Sequence, residues 1–167
     1  MSAIHNVLIA PGTTVPDRVL CYGTAVAGGV LAWALAVDEG WPWWTLAIVT
    51  VIAFDLFGGA VVNATSAATR KFHGPNRTAR HHLAFVALHV QPFIMALVVP
   101  GFTWATALGI YVLALAGAVL VLRVGRPAGF AIAVLGLTLL PAPEAVLWFT
   151  PVLLIKLLLS YLEPTTR

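Results

Sequence analysis

Charge is what this sequence lacks most. Of 167 residues only 9% are Asp, Glu, Lys or Arg, whereas 60% are hydrophobic and the mean hydropathy is +0.97. A water-soluble domain carries roughly 25% charged residues because its surface must be wetted, so a soluble fold is excluded and a multi-pass membrane protein is implied. The single cysteine, Cys21, rules out an intramolecular disulfide framework and reads as a packing residue; no Cys-x-x-Cys or Cys/His zinc pattern stands in its place. Acids are scarcer than bases, 6 against 9, for a net charge of +3. With so few charges in all, that excess reads as topology information for membrane insertion, and no nucleic-acid partner is expected. Residues 1–17 lack the apolar core of a secretory signal, being broken by His5, Asn6, Pro11, Pro16 and Asp17. The first apolar span is therefore expected to remain in the mature protein.

Apolar runs are what the chain has in quantity. A hydrocarbon core about 30 Å thick needs about 20 apolar residues per helical crossing. Turn residues divide the chain into six runs, at about 19–37, 41–65, 82–99, 102–122, 127–140 and 145–162, behind an interfacial N-terminal segment, 1–18. Asp38, Glu39 and Gly40 stop the first, and Trp41-Pro42-Trp43-Trp44 opens the second as an interfacial belt. Pro100-Gly101 turns the third into the fourth, Pro127 opens the fifth, and Pro141-Ala142-Pro143 ends it. The fifth run, about fourteen apolar residues, suits a re-entrant segment as well as a crossing.

Positive charge selects between these topologies. With six crossings Arg18, Arg70, Lys71, Arg77, Arg80, Arg123, Arg126 and Arg167 all fall on one side, and the opposite loops hold only Asp38, Glu39 and Glu144. Basic loops stay cytoplasmic, so the expected fold is an all-α bundle of six transmembrane helices in the plasma membrane, fifth helix short, both termini cytoplasmic. The basic cytoplasmic loop 66–81 would lie against anionic headgroups, which attract such residues by about 1 kcal/mol each. Substrate-phosphate binding is the competing reading of that loop. Asn63-Ala64-Thr65 and Asn76-Arg77-Thr78 match a glycosylation acceptor, but both fall at or beyond the cytoplasmic boundary and are set aside.

Ionisable residues inside a span are expensive and mark candidate function. Asp55 shares a helix face with Gly59 and Asn63; the third run holds His82, His89, Gln91 and Pro92; Lys156 sits in the sixth. At 1.5 Å per residue, Asp55 lies about 15 Å inside the cytoplasmic end of its helix, and His89 and Lys156 about 10 Å inside theirs. Three titratable groups on three helices at similar depth are expected to converge. Gly58-Gly59 leaves room beside the acid, and Pro92 frees a backbone carbonyl and bends the third helix. Phe54, Phe57, Phe85 and Phe93 read as core or as the wall of an apolar pocket, and His73 and His81 as interfacial residues.

The chemistry this cluster suits is acid–base catalysis on a lipid-like substrate, isoprenoid or acyl, entering from the bilayer. Asp55 and His89 would form the acid–base pair, Asn63 would orient, and Lys156 would stabilise negative charge, with His82, Gln91 and Gly59 binding substrate. A metal held by His82, His89 and Asp55 is disfavoured, because a seven-residue spacing separates the two imidazoles by about 10 Å; no cofactor is indicated. A proton- or ion-coupled transporter would instead load and unload Asp55 in competition with Lys156, and six spans suit a homodimer. A structural subunit would show only an Asp55–Lys156 ion pair, with Asn63, Gln91 and His89 bonded to free carbonyls. Membrane lipids, and a lipophilic small molecule as substrate, are the expected partners.

Overall fold

The structure is a computed structural model that describes residues 12–162. Residues 1–11 of the expected interfacial segment, and Arg167 in the charge argument, lie outside the described residues. Helix α1 spans Val15–Ala36. It starts earlier than the expected residue 19, because Thr14 caps it, accepting from the Asp17 N–H at 3.3 Å, and Pro16 occupies the first turn. A 3-10 turn, Val37–Glu39, and Gly40 at φ +70° lead into α2, Trp43–Asn63. The α1–α2 hairpin is the most extensive helix pair, and Gly58 permits it: a Cβ there would lie 2.6 Å from that of Ala25.

The stretch 66–81, expected as a loop, contains a helix. Thr65 caps α3, Ser66–Phe72, by accepting from the Ala68 N–H at 3.2 Å. His81 helps cap the next helix, α4, Ala79–Ala87, by accepting from the Thr78 N–H at 3.2 Å, the place usually taken by Glu or Gln. The third expected span is also corrected, from one helix to two. After α4 the chain breaks at residues 88–90 and resumes as α5, Gln91–Val98. Pro92 is the cause: in a continuous helix its ring would collide with the carbonyl of Leu88 and it has no N–H to donate there, so that carbonyl accepts from Val90 N at 2.9 Å instead.

Thr103 caps α6, Trp104–Val124, and Gly125, at φ +91°, turns the chain into α7, Arg126–Leu139. A 3-10 turn, Glu144–Val146, precedes α8, Phe149–Leu154, which runs directly into a π-helical segment, Ile155–Tyr161. Among the described residues five stretches are long and apolar enough to cross a membrane: Val15–Glu39, Trp43–Asn63, Ala79–Val98, Trp104–Val124 and Glu144–Tyr161. Helix α7 has 14 residues, about 21 Å of rise. Its far end returns to the beginning of α6, where the Thr106 hydroxyl donates to the Pro141 carbonyl at 3.2 Å.

Inside, Leu56, Ile110, Phe149, Leu153, Leu157 and Leu158 are buried in one core between α2, α6 and the last helix. Outside, Val19, Val26 and Val30 on α1, Val51 on α2 and Leu108 and Val112 on α6 are exposed. Helices apolar on both faces have lipid as their solvent, so the chain is an all-helical multi-pass membrane protein.

Candidate functional site

Lys156 is buried at the start of the π-helical segment, where the widened i→i+5 turn interrupts the regular register of the last helix. It does not snorkel to an interface. Its Nζ donates to Asp55 Oδ2 at 2.7 Å and approaches the Asp55 carbonyl oxygen at 3.4 Å. Gly59, one turn beyond Asp55 on α2, makes this possible: a Cβ there would lie 2.6 Å from Lys156 Cε and 2.8 Å from Nζ. Gly59, expected to face a substrate, thus also seats the lysine.

The pair stands at the wall of a cavity of about 480 Å³. Asp55, Lys156, His89, Asn63, Gln91 and Gly59 all line it, gathered from α2, the 88–90 break, the first residue of α5 and the π-helical turn. The remainder of the wall is largely apolar, with Phe54, Phe72 and Phe85 prominent. Phe57 and Phe93 are elsewhere, the first tilted against Trp148 and the second stacked on Trp104. Two of the lining residues are exposed, Val51 and Asp55, and both lie in the middle of α2. The cavity therefore opens on the flank of the bundle, at the level of the spans.

His89 is held by the break itself. Its Nδ1 lies 2.7 Å from the Phe85 carbonyl oxygen, and since a carbonyl only accepts, Nδ1 carries the proton. In the neutral ring Nε2 is then the lone-pair nitrogen, the atom able to take a proton or accept a hydrogen bond. Asn63, the last residue of α2, is buried, and its Nδ2 has no hydrogen-bond partner among the described residues. Gln91 Oε1 is buried and unpartnered as well. An ion pair with every neighbouring polar group satisfied would be complete as a structural lock; here His89 has its carbonyl, but a donor and an acceptor on the cavity wall are left over.

His82 lies apart from Gln91 and Gly59, the other residues expected to bind substrate. It is not on the cavity wall: its Nδ1 lies 3.1 Å from the Tyr161 hydroxyl, and its ring stacks on His73 with centroids 4.6 Å apart. His73, read as interfacial, bonds through Nε2 to the Tyr161 carbonyl oxygen at 2.6 Å. Tyr161 itself stacks on Phe85 at 3.8 Å between centroids and meets Phe72 edge-on. These rings form one aromatic cluster, with Phe72 and Phe85 on the cavity wall and His73, His82 and Tyr161 behind them. Sequence reasoning missed Tyr161; its signal was a lone phenol near the end of an apolar run. Cys21 is buried on the cavity wall, a free thiol. Among the described residues no three His, Cys, Asp or Glu side chains gather as a metal site, and His82 faces away from the Asp55–His89 pair it would have to join.

The arrangement supplies a carboxylate fixed by an ammonium, an imidazole with one nitrogen uncommitted, and two amides with unused valence, all within an apolar enclosure. Compared with known protein families, curated proteins and solved structures, the chain matches none, so this chemistry alone carries its functional reading.

Proposed function

We propose that the protein is an integral membrane enzyme that performs acid–base chemistry on a lipid-like, isoprenoid or acyl, substrate. The observation that carries this reading is the flank-opening cavity with Asp55, His89 and an unpartnered Asn63 Nδ2 on one wall. Substrate enters sideways from the bilayer past Val51. His89 Nε2 takes a proton from the reacting group and returns it, because its other nitrogen is tied to Phe85 and holds the ring in one tautomer. Asp55, kept in place by Lys156 through Oδ2, presents a carboxylate to the cavity as a fixed hydrogen-bond acceptor for the reacting group. Asn63 and Gln91 orient the polar end of the substrate.

The test is lipid turnover by purified protein in nanodiscs made from total membrane lipid, followed by mass spectrometry. Appearance of a product that Asp55→Asn and His89→Ala each abolish, with folded yield retained, is expected; unchanged lipid in every preparation overturns the reading. A proton- or ion-coupled transporter is favoured by one observation, the broken α4–α5 helix beside the Lys156–Asp55 pair. Proton or cation flux into sealed proteoliposomes that Asp55→Asn abolishes would establish that alternative.

For topology we propose six crossings at the plasma membrane with both termini cytoplasmic. The return of α7 to the start of α6, completed by the stretch through Pro141, supports a sixth crossing despite its 14 residues. A reporter fused after Arg167 would face the cytoplasm; an exterior reporter would replace the sixth crossing by a re-entrant segment.

A further inference from the structure

The polar groups of the cavity restrict the head of the molecule it takes, and we infer that the ligand is an uncharged lipid bearing a hydroxyl, not a lipid phosphate, fatty acid or amine. This rests on the lipid-substrate reading above and adds the chemistry of the substrate's polar end.

Charge comes first. Among the described residues Lys156 is the one Lys or Arg on the cavity wall, and Asp55 already holds it at 2.7 Å. A phosphate or carboxylate head brought into this enclosure would meet no uncommitted cation, and it would meet the half-exposed Asp55 carboxylate. An ammonium head would have to compete with Lys156 for that same carboxylate, leaving one cation uncompensated. An uncompensated charge in an apolar enclosure is the most unfavourable occupant it can have. The basic residues Arg77 and Arg80 are not on the wall and cannot supply the missing charge there.

Hydrogen-bond valence comes next. Asn63 Nδ2 is a donor without an acceptor, and Gln91 Oε1 an acceptor without a donor. Asn63 is 8% exposed, so bulk water does not satisfy it. A pure hydrocarbon leaves both groups unpaired, and an ester or ketone answers only Asn63. A hydroxyl answers both, since its oxygen accepts while its O–H donates. The apolar wall of Phe54, Phe72 and Phe85 accommodates the attached chain, and about 480 Å³ is within the range of ligand cavities.

The probe is a diazirine-bearing monoacylglycerol, photo-crosslinked to the full-length protein in phosphatidylcholine nanodiscs and mapped by peptide mass spectrometry. Crosslinks to peptides that line the cavity are expected, displaced by monoolein and oleyl alcohol. Oleyl phosphate, oleic acid, oleylamine and 1-octadecene should each compete at least about tenfold less well, the order of effect for one or two lost hydrogen bonds or an unpaired charge. Displacement by oleyl phosphate, oleic acid or oleylamine as good as by monoolein overturns the inference, and so does equal displacement by 1-octadecene. These comparisons use the wild-type chain and so do not depend on any variant folding. Asn63→Leu and Gln91→Leu should each cut crosslinking severalfold, and undiminished crosslinking in both would count against the hydroxyl contact. Asp55→Asn should keep crosslinking while losing turnover, so a cavity that binds monoolein but converts nothing defeats the enzyme reading and leaves the ligand class standing.

Discussion

Lys156 and Asp55 share one 2.7 Å contact but not one environment: the lysine side chain is 6% exposed and the aspartate 53%. The lysine is committed to the interior of the bundle, whereas the carboxylate faces both the lysine and the cavity. Loss of one partner is therefore not equivalent to loss of the other.

Asp55→Ala strands a buried ammonium and should cost about 3–5 kcal/mol, the range for removing one member of a buried pair. Asp55→Asn keeps a carbonyl oxygen for Nζ and should fold nearly as well as wild type. Adding Lys156→Met to Asp55→Ala should recover most of the lost stability. Thermal unfolding in a fixed detergent checks all three, and equal stability of Asp55→Ala and Asp55→Asn would show that the pair does not hold the fold.

Gly59→Ala places a methyl group 2.6 Å from Lys156 Cε, so the lysine must move. Overpacking of this kind costs about 1–3 kcal/mol. Turnover should fall further than stability, because the displaced group is the one that fixes Asp55. Side-by-side unfolding and activity measurements decide; a variant with wild-type turnover would mean that Asp55 needs no anchor.

Pro92→Ala restores an N–H where the chain now has none and removes the ring that in a continuous helix would collide with the Leu88 carbonyl. The α4–α5 break should close at least in part, slowing amide hydrogen exchange over 88–92 and moving His89 from the cavity wall. Activity should drop by about tenfold or more while thermal stability is kept or raised, since a longer run of helical hydrogen bonds replaces the break. Unchanged exchange over those residues would assign the break to packing rather than to proline.

His82→Phe retains a ring for stacking on His73 but loses the bond to Tyr161. A loss of about 0.5–1.5 kcal/mol in stability is expected, with KM for substrate little changed. A large rise in KM with stability intact would return His82 to the substrate-binding set.

Much of the architecture was legible because helical rise is fixed. Counting residues from the span ends put Asp55, His89 and Lys156 at one level, and all three line one cavity. His82 lies off that wall for a related reason: a seven-residue spacing puts His82 and His89 on one face only if the helix between them and Pro92 is continuous, and it breaks at 88–90. Pro92 announced a disturbance but not its size. The widened turn at Ile155–Tyr161 has no composition signal, since Lys-Leu-Leu-Leu reads as ordinary helix. Helix α3 was hidden because seven residues with Arg70 and Lys71 at its end look like a solvated loop; only Thr65 as a cap marks its start.

The π-helical segment carries Lys156 near one end and Tyr161 at the other. Seen mechanically, it is a single shaft with two cams: one presses the ammonium against Asp55, the other sets the phenol against Phe85 and His82. Rewinding it to ordinary pitch would turn both cams together, so the anchoring of the carboxylate and the seating of the phenol depend on the same widened turn.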